Sequence, residues 1–268
     1  MPLLLDPSAR LVVAHRGNSA HAPENTLEAL AQGVALGADG IECDVRLSRD
    51  GHAVVMHDAI VDRTTNGRGA VAGLTLSQLK QLDAGFHFTT DGGRTFPWRG
   101  RGTTIPALDE VLEEFRGTPM IIEIKSRDAA SATLRMIERH DAATRTVVGS
   151  FSGETLIPFR SSGVAVGAAR RDVVRLYLRS FLPVAPARPS YQALIIPPAY
   201  RKIPLPVLRF ARLVRPSGVP TLVWTVDDPV RARWYWDGGV NAIISNNPEV
   251  ILAAAGRSRG TILPATRN

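Results

Sequence analysis

Short runs rich in Val, Ile and Ala recur along nearly the whole chain, and segments of helical period separate most of them. "RLVVAHR", "GIECDVRL", "AVVMHD", "PMIIEIK", "TVVGSF", "VAVGAA", "ALIIP", "PTLVWTV" and "NAIIS" read as strands. Runs that are continuously apolar belong to strands buried on both faces, the mark of a parallel sheet covered by helices. The strand and helix pairs number about eight, which at 268 residues predicts an α/β fold of the TIM (β/α)8 barrel type. The doubly wound open sheet is the rival architecture, and it loses because no Gly-rich nucleotide turn follows the first strand.

Local signals punctuate the helices. In Asn25 to Gly37 the apolar positions 27, 30, 31, 34 and 35 form one stripe, with Asn25 expected to cap alongside Glu28 and Gly37 to end the helix. Pro106 is expected at the first position of "PALDEVLEEF", and Pro229 and Pro248 near the starts of two later helices. Ala59 to Thr104 breaks the alternation: "TTNGRG" and "TDGGRTFPWRGRG" flank a short helix, "TLSQLKQL", that Thr75 and Gln78 can close as a capping box. This stretch reads as an insertion on the barrel rim, between the second strand region and its helix, too short for a core of its own. One domain over residues 1–256 and a frayed tail over 257–268 complete the expected organisation.

At 44% hydrophobic and 21% charged residues the composition is that of a globular protein. The start, "MPLLLDPSARLVVAHRG", has no basic leader region, and no run approaches the roughly 20 apolar residues of a membrane span. The single cysteine, Cys43, excludes an internal disulfide and a cysteine-based zinc cluster and fits a reducing, cytoplasmic setting. The net charge of +7 is regional: Arg170 to Pro216 holds ten Arg and Lys against one acid, Asp172, so the window carries +9 and the remainder −2. With few aromatics for stacking and no recognised motif, the window does not read as nucleic-acid binding. Its "RLYLRSFLPVAP" and "VLRFARLV" suit peripheral contact with an anionic membrane, against the plainer expectation of a helix pair with basic outer faces.

Ionisable residues collect at four strand ends: His15 and Arg16 in "AHRG", Glu42 and Asp44 in "IECD", His57 in "VVMHD", Glu123 and Lys125 in "IIEIK". The pairs 42 with 44 and 123 with 125 each share one strand face, while Ile41, Cys43, Ile122 and Ile124 take the other. The helix-covered face must be the apolar one, so the charges are expected inside the barrel, at the mouth where active sites form. Unpaired, each buried carboxylate would cost several kcal/mol, roughly, so a positive charge must sit among them. Three carboxylates without cysteine suit a hard cation, Ca²⁺ or Mg²⁺ before zinc, with Mn²⁺ as a third choice. Arg16 and Lys125 leave room for an anionic substrate, a phosphate above all. His15 and His57 can share general-acid and general-base duties. His21, His52, His87 and His140 are expected to be structural.

"AHRGNSAHAPENTLEAL", "GADGIECDVRLSRDGHAVVMHDAIVDRTTNGRG", "IPALDEVLEEF", "IIEIK" and "VWTVDD...GVNAIISNNPE" together closely resemble the glycerophosphodiester phosphodiesterases, from about residue 12 to 250. The resemblance implies a TIM barrel with an insertion after the second histidine. It implies hydrolysis of glycerophosphodiesters to glycerol 3-phosphate and an alcohol, with His15 and His57 as the acid/base pair and Glu42, Asp44 and Glu123 holding a divalent cation. Arg16 and Lys125 would bind the phosphate, and Phe151 and Trp224 would line the glycerol pocket. One departure stands out: "ISNNP" occupies the place where the family often has a Thr-Asp pair before the proline. Two other functions compete: phospholipase D-like cleavage of lysophospholipids at a membrane surface, motivated by the 170–216 window, and a non-enzymatic phosphodiester-binding module, which predicts a broken catalytic position that is not seen.

Overall fold

A computed structural model of the protein describes residues 2–181 and 189–257. The expected frayed tail, apart from Arg257, lies outside the described residues, as does the part of the basic window over residues 182–188. In chain order the elements are β1 (Leu11–His15), α1 (Leu27–Ala35), β2 (Gly40–Leu47), β3 (Ala53–Val55), α2 (Leu76–Lys80), α3 (Leu108–Glu114), β4 (Met120–Ile124) and α4 (Ala129–Arg139). There follow β5 (Thr146–Gly149), β6 (Ala165–Val166), α5 (Arg170–Arg179), β7 (Leu194–Ile196), β8 (Ala199–Tyr200), β9 (Ile203–Pro204), α6 (Val207–Val214), β10 (Thr221–Trp224), α7 (Pro229–Asp237), β11 (Ala242–Ser245) and α8 (Pro248–Ala254).

Eight strands pair side by side in the order β6, β5, β4, β2, β1, β11, β10, β7. Every pair in that path is parallel. A parallel bridge between Gly167 and Ala193 joins the two ends, which closes the sheet into a TIM-type barrel. All nine sequence segments read as strands are strands. The ninth, β3, is antiparallel to β2 and stands off the barrel path, because the "SRDGH" turn sends the chain back along its own strand. After β5 the covering helix is reduced to a 3₁₀ turn, Ile157–Phe159.

Strand alternation sorts the side chains into two layers. Val12, Ala14, Ile41, Cys43, Ile122, Ile124, Val148, Val223 and Ile243 face the helices in one large apolar cluster. Leu11, Val13, Ile121, Val147, Ala165, Ala193, Leu222, Ala242 and Ile244 fill the barrel interior. Each Val, Leu or Ile among them contributes about 1.5–3 kcal/mol of burial free energy.

Most cap expectations hold: Thr75 and Gln78 form the capping box of α2, and Pro229 and Pro248 stand at the first positions of α7 and α8. Two do not. The cap of α1 is Thr26, whose hydroxyl accepts from the Ala29 amide, because Asn25 is held in the left-handed region at φ 61° by other partners. Pro106 lies two residues further out than expected, since α3 begins at Leu108 behind the cap residue Ala107, whose amide donates to the Glu110 carboxylate at 2.7 Å.

The rim insertion follows β3 as expected and brings a small cluster, Val61, Val71, Leu79, Ala84 and Ile105, onto Val54 and Met56. The insertion thus shares a core with the β3 strand region. In the basic window, α5 buries Leu176 and α6 buries Val207, Phe210, Ala211 and Val214, with the arginines of both helices outward.

Close approach of α1 to β1 depends on a missing side chain. A Cβ at Gly33 would stand 2.6 Å from the Ala14 Cβ, and neither atom has a rotamer by which to escape. Ala has higher helix propensity than Gly by about 0.8–1 kcal/mol, but forced overpacking costs about 1–3 kcal/mol. Gly33→Ala is therefore expected to lower unfolding stability in urea titration at constant m-value.

Candidate active site

The register of the strands brings the ionisable residues together. His15 of β1 pairs in register with Glu42 of β2, and Asp44 of β2 pairs with Glu123 of β4. One ligand oxygen from each of Glu42, Asp44 and Glu123 lies within 4.8 Å of the others. Glu42 and Asp44 are buried and Glu123 nearly so, so three acids meet at one point inside the barrel mouth.

Two cations stand among them. Lys125 Nζ is 2.9 Å from Asp44 Oδ1 and 2.7 Å from Glu123 Oε1, and Arg16 Nε is 3.0 Å from Asp44 Oδ2. Burial raises the Asp44 carboxyl, but Lys125 and Arg16 outweigh it and hold it below its ordinary value. Glu42 fares otherwise: burial first, then the neighbouring charges of Asp44 and Glu123, push its carboxyl well above the ordinary value. The local cations therefore do not neutralise the cluster, and Glu42 is the group left in deficit. Asp44 Oδ1 and Glu123 Oε1 also form no well-angled hydrogen bond, their contacts with Lys125 being ion pairs alone. Buried oxygens aimed at a common point, none of them neutral donors, fit a hard divalent cation.

Around the acids a second set of contacts fixes geometry. Asn25 donates from Nδ2 to Asp44 Oδ2 at 2.9 Å and accepts the Asp44 amide at 3.1 Å, which explains its left-handed backbone and its absence from the helix cap. Arg16 is also left-handed, at φ 55°, so its amide can donate to Glu42 Oε2 at 3.0 Å while its guanidinium reaches Glu24. A left-handed backbone is uncommon for such residues and tends to mark functional sites.

The two histidines are held differently. His15 is buried, with Nδ1 2.7 Å from Asn246 Oδ1. Asn246 is oriented by Asp227, to which it donates from Nδ2 at 2.9 Å and from its backbone amide at 2.8 Å. Since a carboxylate only accepts, this fixes which Asn246 atom is the oxygen, and hence that His15 Nδ1 carries a proton. Burial, then the Arg16 charge, push His15 down to about 4. His57 follows β3, near enough to Asp44 to help lower its carboxyl, with Nδ1 2.6 Å from Asp58 Oδ1. Arg63, from the rim insertion, bonds both Asp58 and Glu24. Burial raises Asp58, but hydrogen bonds from Arg63 and then His57 bring it down to about 2.

Phe151 and Trp224 stand at the ends of β5 and β10, edge to face with ring centroids 6.1 Å apart, on the wall of the same cavity as His15, Glu42 and Glu123. The remaining histidines keep away from this cluster: His21, His52 and His87 are exposed, and His140 sits between Asp109 and Glu113 of α3. Sequence reasoning passed over Glu24, Asp58, Arg63, Asp227 and Asn246 as contributors. Asp58 was signalled by adjacency in "HD" and Glu24 by "PEN", whereas nothing in the turn-rich insertion distinguishes Arg63 from its neighbours. The departure at "ISNNP" reaches further than a peripheral loop, because Asn246 is the partner of His15.

Among the described residues no helix is long and apolar enough to cross a membrane. The chain is 33% identical over 249 residues to a protein of Caldanaerobacter subterraneus subsp. tengcongensis named glycerophosphodiester phosphodiesterase, covering 90% of this chain and 96% of that one. An Oleispira antarctica phosphodiesterase, solved in complex with the product sn-glycerol-3-phosphate, superposes with a TM-score of 0.71 at 27% identity over 92% of this chain and 96% of that one. A glycerophosphoryl diester phosphodiesterase domain from Mycobacterium tuberculosis shares the fold with a TM-score of 0.80 at 24% identity, covering 93% and 99% of the two chains. The family model for glycerophosphoryl diester phosphodiesterases matches residues 15–250, a span that begins at the first site histidine and takes in every charged contact described above. By this match and by the relative that is one-third identical along nine-tenths of its length, the chain belongs to the glycerophosphoryl diester phosphodiesterase family.

Proposed function

We propose that the chain, as one catalytic unit over residues 1–256, hydrolyses glycerophosphodiesters to glycerol 3-phosphate and an alcohol, with a divalent cation and a histidine acid/base pair. The observation that carries the reading is the meeting of Glu42, Asp44 and Glu123 with His15 and His57 held beside them by separate partners. The product complex of the Oleispira antarctica phosphodiesterase supports glycerol 3-phosphate as the product.

Glu42, Asp44 and Glu123 would hold the cation, Ca²⁺ or Mg²⁺ before Mn²⁺, because all donors are carboxylate oxygens. When bound, the cation supplies positive charge against the non-bridging phosphate oxygens. Arg16 and Lys125 add fixed charge on the same side and orient the diester. His15 is neutral at neutral pH, with Nδ1–H engaged by Asn246 and Nε2 free to accept. It therefore serves as general base, taking a proton from the nucleophile, either water or the glycerol 2-hydroxyl. His57 is oriented by the contact of its Nδ1 with the Asp58 carboxylate and serves as general acid to the departing alcohol. Arg63 keeps Asp58 ionised and fixed.

His15→Ala and His57→Ala are each expected to lower kcat by roughly 10²-fold or more, as the loss of a positioned acid or base does, with little change in KM. Glycerol 3-phosphate release from glycerophosphocholine reads this, and near-full turnover in either variant would refute the pairing. Exhaustive chelation is expected to abolish turnover and Ca²⁺, Mg²⁺ or Mn²⁺ to restore it. Activity in a sample shown metal-free by elemental analysis would contradict the cation assignment.

A further inference from the structure

The upper layer of the barrel interior is split in two. On β1, β2 and β4 the interior positions at the mouth are His15, Glu42 and Glu123, whereas on β5, β6, β7, β10 and β11 the corresponding positions are Gly149, Gly167, Ile195, Trp224 and Ile244. Two glycines side by side remove side-chain volume from one wall: a Cβ at Gly149 would meet nothing within 4 Å. A cavity of about 260 Å³ opens there. It runs from the catalytic carboxylates outward to Phe151, Val174, Tyr177 and Tyr200, and at its mouth Phe151, Val174 and Ile203 stay exposed at 45%, 52% and 59%.

That lining suits glycerol poorly. A glycerol carries hydroxyls that need partners when buried, and the outer cavity offers few: apart from Ser150, Arg170 and the hydroxyls of Tyr177 and Tyr200, its walls are aliphatic and aromatic. Exposed apolar residues continuous with a catalytic cavity point to an apolar ligand. The position of the acid decides which part of the substrate lies there. His57 does not border the cavity, while His15, Glu42 and Glu123 do. With His57 protonating the departing alcohol, the leaving head group lies on the His57 side and the retained glycerol moiety lies on the cavity side.

The geometry points to a substrate whose glycerol moiety carries a single aliphatic chain, a lysophospholipid, with the chain in the cleft between Phe151, Val174, Tyr177, Tyr200 and Trp224. This rests on the phosphodiesterase reading above and specifies its substrate. Cleavage adds water across the bond between phosphorus and the head-group oxygen: the water oxygen bonds phosphorus, and a proton ends on the head-group alcohol. The products are an acylglycerol phosphate and the free alcohol.

The test separates the cleft from the chemistry. Binding of 1-lauroylglycerol 3-phosphate and of glycerol 3-phosphate, the first below its micelle concentration, is measured by calorimetry on the Mg²⁺-supplied protein. The chain is expected to tighten binding about tenfold or more, as burial of several methylenes does. Gly149→Leu, which fills the cleft, and Val174→Asp, which charges its exposed mouth, are each expected to erase most of that ratio. The ratio is taken within one sample, so partial unfolding, which lowers both signals alike, leaves it unchanged. Equal affinity for the two phosphates, or a ratio unmoved in both variants, overturns the proposal. Choline release from lauroyl lysophosphatidylcholine and from glycerophosphocholine is then compared, with a kcat/KM at least tenfold higher expected for the chained substrate. A chain preference in binding with neither diester cleaved would sink the phosphodiesterase reading and leave the cleft standing. Faster cleavage of glycerophosphocholine would overturn the lysophospholipid assignment and leave the phosphodiesterase reading standing.

Discussion

Three carboxylates share one point inside a closed barrel, and much of the surrounding structure is a response to that charge. Lys125 and Arg16 are drawn into contact with Asp44. Asn25 leaves the helix-cap geometry to bond the same residue from both amide atoms, and Arg16 takes a left-handed backbone that turns its amide toward Glu42. Even so, Glu42 remains pushed toward its protonated form. A barrel interior that cannot neutralise its own acids with side chains has the electrostatics of a cation site.

From that centre the network extends to both histidines. Arg16 and Arg63 share Glu24, and Arg63 passes on to Asp58 and so to His57. On the other side Asp227 fixes Asn246, which fixes His15. The two imidazoles thus receive opposite treatment. His15 faces a neutral amide in a buried place, and His57 faces a carboxylate in a half-exposed one. The proposed division of the two histidines into acceptor and donor rests on this difference of partners.

The fold and the centre of the site were legible because each rested on a periodic signal. Continuous apolar strands gave the parallel barrel, and period-2 spacing put Glu42 with Asp44, and Glu123 with Lys125, on the interior face. Contacts spanning long sequence separation left no such trace. Arg63 lies in turn chemistry and meets Glu24 only because the rim insertion folds back over the loop after β1. Asn246 was visible as a departure, yet its bond to His15, across 231 positions of sequence, depends on β11 and β1 being neighbours. Asn25 looked like a cap because capping and carboxylate binding use the same side chain. The glycines at 149 and 167 stand within "TVVGSF" and "VAVGAA" with nothing to single them out, and only the closed barrel shows them facing one cavity.

The central claim is that the acids hold a cation, and a crystal soaked in Mn²⁺ tests it most directly through anomalous scattering. One peak bonded to Glu42, Asp44 and Glu123, with the Lys125 ammonium displaced from at least one of its two carboxylates, is the predicted result. An absence of any peak there, with Lys125 still bridging Asp44 and Glu123, would contradict the account.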